Sequence, residues 1–302
     1  MDQLLAMQVF STVIDTGGLA AAGRKLGMSP PTVTRIIGQL ESHLGTRLLV
    51  RTTRIVKPTT AGVRFSEDCR RILSDIAEAT ASASGAHATP SGMLTVTAPV
   101  QFGQTYVMPV LLDYLDRHPK VRARAVFVDR VVNLIEEGID VAVRIGELPD
   151  SSARVVKVGA VRRIVCAAPS YLARMGLPRS PADLAKHRLI AITTDSTLNW
   201  RFVRHAPTQK LEATLASNSI RAAIRATEEG WGISQLLSYQ VADQLRTGQL
   251  VRILKEFERD PVPVAILHTE GRHAQAKVRA FVDLVVERLR RTAEVREEDE
   301  RA

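Results

Sequence analysis

The chain has 302 residues, 45% hydrophobic and 24% charged, a composition that builds globular cores and excludes wholesale disorder. Its length suits a small module joined to a larger one. The formal net charge of +9 favours a polyanionic partner, and residues 1–64 alone hold eight basic side chains against three acidic ones.

Cys69 and Cys166 lie far apart with no CxxC pair, which argues against a disulfide framework or a cysteine-based zinc site and fits a reducing cytoplasm. The N-terminus lacks a basic n-region followed by an apolar run, and no stretch is long and apolar enough to span a bilayer. A cytoplasmic location with no membrane partner is expected.

In chain order, Leu5, Val9, Phe10 and Val13 recur at helical spacing and stop at Thr16-Gly17-Gly18. A short alanine-rich helix follows over Leu19–Leu26. Gly27 supplies a turn, Ser29 offers a side-chain cap, and Pro30 fits the first turn of a third helix reaching Leu44. Val33, Ile36, Ile37, Leu40 and Leu44 form one apolar stripe on that helix, which leaves Thr32, Arg35, Gln39 and Ser42 on the other side. Residues 47–56 read as two short strands around a basic turn.

After Pro58, Thr59 or Thr60 caps a long helix to about Ala83, with Val63, Ile72, Leu73 and Ile76 as apolar contact points. Residues 81–92 are small, polar and Pro/Gly-punctuated, as in an interdomain hinge. Beyond them strands and helices alternate. The expected elements are strand Leu94–Ala98, helix Val107–Arg117, strand Val121–Val128, helix Val131–Glu137 and strand Ile139–Ile145. A second series has strand Arg163–Ala168, helix Ser219–Glu229, strands Ile233–Leu237 and Val262–His268, and helix Ala274–Arg290. Two α/β lobes fit this better than one, and the Glu/Arg-rich tail Glu294–Ala302 reads as solvated.

Two short helices joined by a glycine turn, the second presenting Thr, Arg and Gln, make a helix-turn-helix. Such a helix fits the major groove, where Arg reaches guanine acceptors and Gln or Thr reads neighbouring edges, while wing arginines neutralise phosphates. Other chemistries find less support. Gly18–Arg24 mimics the spacing of a phosphate-binding loop, but arginine stands at the lysine position and no strand precedes it. The seven histidines show no HExxH spacing, and no GxSxG or SxxK motif appears. No enzyme activity, metal or cofactor is expected.

The run from Phe10 through Arg35, continued by Gln39-Leu40-Glu41-Ser42-His43-Leu44-Gly45 and Arg47 through Arg54, and then Thr59-Thr60-Ala61-Gly62, resembles the LysR-type transcriptional regulator signature. Asp129–Gly146 resembles the regulatory domains of the same family. Three departures are Gly18 where a capping serine is usual, Thr34 where serine is usual, and Pro58 where leucine is usual. The resemblance implies a winged helix-turn-helix, mainly α, plus a long linker helix and a two-lobed α/β regulatory domain like a periplasmic binding protein.

The expected division is 1–59 for the DNA-binding domain, 60–91 for the linker helix and hinge, 92–290 for the regulatory domain, and 291–302 for a charged tail. Lobe I would span about 92–161 and 266–290, and lobe II about 162–265.

The resemblance further implies that Ser29, Pro31, Thr32, Thr34, Arg35 and Gln39 form the DNA-facing set, with Arg51, Arg54 and Thr59 beside phosphates. Strand ends lining the cleft would supply Pro99, Val100, Gln101, Phe102, Arg144, Gly146, Thr194 and Asn218 to an effector. Arg144 suits an anion, or pairs merely with Glu147. The apolar neighbours leave carboxylates, aromatics and neutral metabolites open. The implied partners are a double-stranded DNA operator, a small-molecule effector, a second copy in a homodimer or homotetramer, and RNA polymerase.

Overall fold

The computed structural model describes residues 2–51, 56–83, 89–146, 154–193, 197–198, 200–203, 211–268 and 275–295. It divides into two compact units, Met1–Met93 and Leu94–Ala302.

The first unit contains α1 (Gln3–Thr16), α2 (Leu19–Leu26), α3 (Pro30–Leu44), the strands β1 (Leu49–Arg51) and β2 (Val56–Pro58), and α4 (Thr60–Ala83). Local chemistry sets these boundaries. The Asp2 carboxylate accepts from the Leu5 amide at 3.1 Å and starts α1. Gly27, at φ 67°, makes the left-handed turn between α2 and α3 that a side chain would oppose. The Ser29 hydroxyl accepts from the Thr32 amide at 3.3 Å, and Pro30 occupies the first turn of α3 without wasting a donor.

Val9, Phe10, Val13, Val33, Ile37 and Leu40 then meet in one buried core, each large side chain contributing about 1.5–3 kcal/mol. Phe65 of α4 closes it, its ring 5.7 Å from that of Phe10. β1 and β2 pair antiparallel, Leu49 opposite Pro58 and Arg51 opposite Val56.

The second unit begins with β3 (Gly92–Ala98), α5 (Val100–Phe102), a π-helical segment (Gly103–Val107), α6 (Met108–Arg117), β4 (Val121–Phe127), β5 (Val141–Ile145) and β6 (Arg154–Val161). It continues through β7 (Arg163–Ala167), α7 (Pro169–Met175), β8 (Leu189–Ile192), β9 (Thr197–Leu198), β10 (Leu211–Glu212) and β11 (Leu215–Ser217). The last elements are α8 (Ile220–Glu228), β12 (Ile233–Leu237), α9 (Ala242–Arg246), β13 (Val251–Ile253), β14 (Val262–His268) and α10 (Ala276–Arg291).

Two five-stranded sheets result, ordered β4-β3-β5-β14-β6 and β11-β8-β12-β7-β13. The chain leaves the first sheet at Val161 and returns to it at Val262, residues that pair with each other. The first sheet packs on α6 and α10 through Val96, Val143, Ile266, Tyr114 and Phe281. The second packs its two faces separately, around Tyr171 and Leu189 on one side and Ile164 and Leu236 on the other.

Four expectations need correction. The segment expected as helix Val131–Glu137 is a set of turns. The Asn133 side-chain oxygen accepts from the Ile135 amide at 3.1 Å and the Glu136 amide at 3.4 Å, a local arrangement that competes with helix. The helical stretch expected from Val107 already begins at Val100. β14, divided at residue 265 by the expected lobe boundary, lies whole in the first sheet. The expected solvated tail begins too early: Ala293–Val295 form a 3-10 turn and Val295 is fully buried, while residues 296–302 fall outside the described ones.

Gly62, in the first turn of α4, is a point of close approach. A methyl group there would overlap the backbone carbonyl oxygen of Leu48, which has no rotamer to move away. Gly62→Ala is expected to cost about 1–3 kcal/mol of stability, read as a lower midpoint in thermal unfolding of the full chain. An unchanged midpoint would show that α4 is not pinned at Leu48.

Candidate functional site

The exposed face of α3 is built by its own cap and stripe. With Val33, Ile36, Ile37 and Leu40 buried, the 100° rotation per residue turns Pro31, Thr34, Arg35 and Gln39 outward, and all four are exposed. The Arg35 guanidinium donates to the Gln39 side-chain oxygen at 3.4 Å, so the two longest polar side chains lie together one turn apart. Thr32 flanks this face, half-buried, its hydroxyl 2.8 Å from that of Ser29. The Thr34 hydroxyl donates back to the Pro30 carbonyl at 3.0 Å.

Gly38 lies between Arg35 and Gln39 on the helix, and a side chain there would meet open space. A mid-helix glycine costs about 1 kcal/mol relative to alanine and here packs against nothing, so its use must be sought outside the free protein. Sequence reading passed over it; the signal was a glycine inside a well-capped helical pattern.

Glu41 was quoted only as part of a signature, yet it ties the helix to the wing. Its Oε1 accepts from the Leu48 amide at 2.8 Å and the Leu49 amide at 3.0 Å. Thr59, expected beside phosphates, caps the helix that follows the wing. Its hydroxyl donates towards the Arg47 carbonyl at 2.9 Å and lies 3.3 Å from the Leu48 carbonyl, and it accepts from the Gly62 amide at 2.9 Å, capping α4. Arg51 ends β1, but its side chain and the whole of Arg54 lie outside the described residues. Arg47 and Lys57 are exposed at the base of the same hairpin.

In the second unit the expected cleft residues separate into groups. Pro99 and Val100 follow the end of β3, half-buried, and the Val100 amide donates to Asp129 at 3.0 Å. Arg144 and Gly146 end β5, which runs parallel to β3, so these residues share one edge of the first sheet. The Arg144 Nη2 is buried without a hydrogen-bond partner. Burial lowers its pKa from the ordinary guanidinium range, Glu137 opposing the shift and Arg130 adding to it. The alternative partner Glu147 and the expected contact Thr194 fall outside the described residues. Asn218 is exposed just after β11.

Two members also make contacts across the lobes. Phe102 is fully buried, its ring 5.1 Å from that of Tyr239. Gln101 donates its side-chain amide to the Gln240 carbonyl at 2.9 Å. Tyr239 and Gln240 follow β12 of the second sheet, so Gln101 and Phe102 join the two lobes.

Residues 4–63 match the model for bacterial regulatory helix-turn-helix proteins of the lysR family, and residues 87–290 match the LysR substrate binding domain. The chain belongs to the LysR family. This LysR-type transcriptional regulator is 33% identical over 92% of its length to an uncharacterised HTH-type transcriptional regulator of Haemophilus influenzae, of which the match covers 98%. It is also similar to CrgA of Neisseria meningitidis, a LysR-type regulator of known structure. There the identity is 30%, the match covers 94% of this chain and 98% of that one, and the TM-score is 0.60. A full-length AphB variant gives 26% identity, coverage of 95% and 99%, and a TM-score of 0.59. As a family member the chain is a DNA-binding regulator with an effector-binding domain.

Among the described residues no cluster of His, Cys, Asp and Glu side chains is placed to hold a metal, and no helix is long and apolar enough to cross a membrane. Both thiols of this LysR-type regulator are buried. Desolvation pushes Cys69 and Cys166 up to about 12. They stay protonated and unreactive at neutral pH, since the thiolate is the nucleophile. Native protein is expected to consume no Ellman reagent at pH 8 and two equivalents after denaturation; prompt native labelling would contradict this.

Glu41→Ala leaves two backbone amides without their carboxylate and is expected to cost about 1–3 kcal/mol. Glu41→Gln, which keeps an acceptor oxygen, should lose less. Chemical denaturation of the full chain measures both, and equal stability of all three proteins would remove Glu41 from its place.

Proposed function

We propose that this regulator reads its operator with α3 in the major groove, Arg35 on a guanine edge with Gln39 and Thr32 on neighbouring bases, and binds phosphates through the hairpin arginines Arg51 and Arg54. The observation that carries the reading is the exposed Arg35–Gln39 pair on a helix whose opposite side buries Val33, Ile36, Ile37 and Leu40. Lys57 and Arg47 extend the phosphate-binding set. Ser29 and Thr32 hold the start of α3, and Pro31 and Thr34 lie at the groove wall. Gly38 lets the α3 backbone approach the DNA more closely than any other residue would.

The protein acts as a homodimer or a dimer of dimers. The 24-residue α4 packs on α1 through Phe65 and Cys69 and then presents Ile76, exposed, to a second copy. Two α3 helices so paired suit an inverted-repeat operator. Effector binding at Val100, Arg144 and Asn218 shifts the balance of lobe arrangements, and with it the spacing of the DNA-reading units. The unpartnered Arg144 Nη2 favours an effector carrying an anionic group. The reading includes work in the cytoplasm, contact with RNA polymerase, residues 1–59 as the DNA-binding domain, and no catalysed reaction.

Arg35→Ala is expected to lose about 1–3 kcal/mol of discrimination between operator and scrambled duplex. Arg54→Ala should weaken both duplexes alike and flatten the salt dependence. Fluorescence anisotropy titrations across a salt series separate the two, and unchanged binding in both variants would defeat the assignment. Gly38→Ala is expected to raise stability by about 0.5–1 kcal/mol while weakening operator binding. A stabilised variant with full affinity would show that the α3 backbone does not approach DNA at Gly38.

A further inference from the structure

Where the chain crosses between its two sheets lies a cavity of about 170 Å³, and it shares no residue with the cleft described above. Val161 and Arg162 line it where the chain leaves the first sheet, and Pro261 where it returns. Leu245 of α9 and Glu294 of the C-terminal turn complete the wall. Its frame is well fixed. The Arg162 amide donates to the Ser238 hydroxyl at 3.1 Å, and the Ser238 amide donates to the Arg162 carbonyl at 2.8 Å. Beside Glu294, Val295 is fully buried, and its carbonyl oxygen occupies the space that a side chain at position 159 would need.

The charges around this cavity are unevenly satisfied. Arg252 also lines it, but its guanidinium is held in a two-pronged ion pair with Glu258, at 2.6 Å and 2.6 Å. Arg162 and Glu294 have no such arrangement: among the described residues neither side chain makes an ion pair or a hydrogen bond, and they do not pair with each other. A half-buried cation and a separate anion thus border one pocket whose remaining wall is largely aliphatic. Unpaired charge at the edge of a low-dielectric space favours a ligand that brings the complementary charges with it. Benzene fits an engineered cavity of about 150 Å³, so this one suits a compact molecule of similar size.

We propose that the cavity is a second ligand site and that it takes a small aliphatic α-amino acid, carboxylate on Arg162 and ammonium on Glu294. Because both crossing segments and the segment after β12 line it, the occupant touches both lobes. Binding there favours the lobe arrangement that keeps Ser238 and Leu245 of the second lobe beside Arg162 and Glu294.

Isothermal titration of the full-length protein with valine, 3-methylbutanoate and isobutylamine tests this. The last two are valine without its amine and without its carboxylate. Saturable valine binding is expected, with each analogue weaker by about tenfold or more. Arg162→Met and Glu294→Gln should each weaken valine by a similar factor, whereas Arg144→Met, in the other cleft, should not. The two cavity variants are first checked for a wild-type melting temperature in the absence of ligand, and Glu294→Gln, at an exposed position, serves if Arg162→Met fails to fold. Absence of saturable valine binding up to about 10 mM would overturn the proposal. So would equal binding of 3-methylbutanoate, or loss of valine binding in Arg144→Met alone.

Discussion

One carboxylate oxygen holds the DNA-reading unit in its working shape. Oε1 of Glu41, near the end of α3, accepts from two successive backbone amides, Leu48 and Leu49, at the point where the chain turns from α3 into the hairpin. Hydrogen bonds to a charged acceptor are worth about 1.5–3 kcal/mol each, well above the neutral bonds of a short hairpin. The Leu48 carbonyl in turn accepts from the Thr59 amide at 2.9 Å, and Gly62 lets α4 lie against the same carbonyl. Helix, wing and linker therefore share Leu48 as a common fixed point, and the exposed Arg35–Gln39 face inherits its orientation relative to the hairpin from that junction.

The regulatory unit relies on a different device. Its two sheets have separate cores, and among the described residues they are joined by the crossing segments, the Gln101–Gln240 hydrogen bond and the rings of Phe102 and Tyr106 against Tyr239. Each lobe is held by its own core, so an effector bound between the lobes would act on the joints rather than on either core. Arg144, with one nitrogen buried and unpartnered, is the sort of unsatisfied group that a bound anion would complete.

What the sequence disclosed depended on whether the physics was local. α3 was legible because every signal lies within a few residues: Gly27 for the turn, Ser29 and Pro30 for the start, and a stripe of four buried side chains at helical spacing. The 131–137 segment misled because Val131, Leu134 and Ile135 imitate that spacing, yet Val131 is 90% exposed and Ile135 69%. Leu134 alone packs inward, against Ala142, Ala265 and Leu267, and Asn133 takes the amides a helix would need. Gln101 and Phe102 are expected in the cleft from the family resemblance, and nothing local in the sequence shows that they also bridge the two lobes. Their partners, Tyr239 and Gln240, lie well over a hundred residues away, and no local pattern announces such a pairing. The same holds for Val295, whose burial depends on the absence of a side chain at Gly159.

Amide hydrogen exchange on the full-length chain, followed by mass spectrometry over residues 46–50 in the wild type and in Glu41→Ala, tests the junction most directly. The account predicts slow exchange at Leu48 and Leu49 in the wild type and an acceleration of about tenfold or more in the variant, tenfold corresponding to about 1.4 kcal/mol. Exchange at the free-peptide rate in the wild type, or identical rates in both proteins, would contradict it.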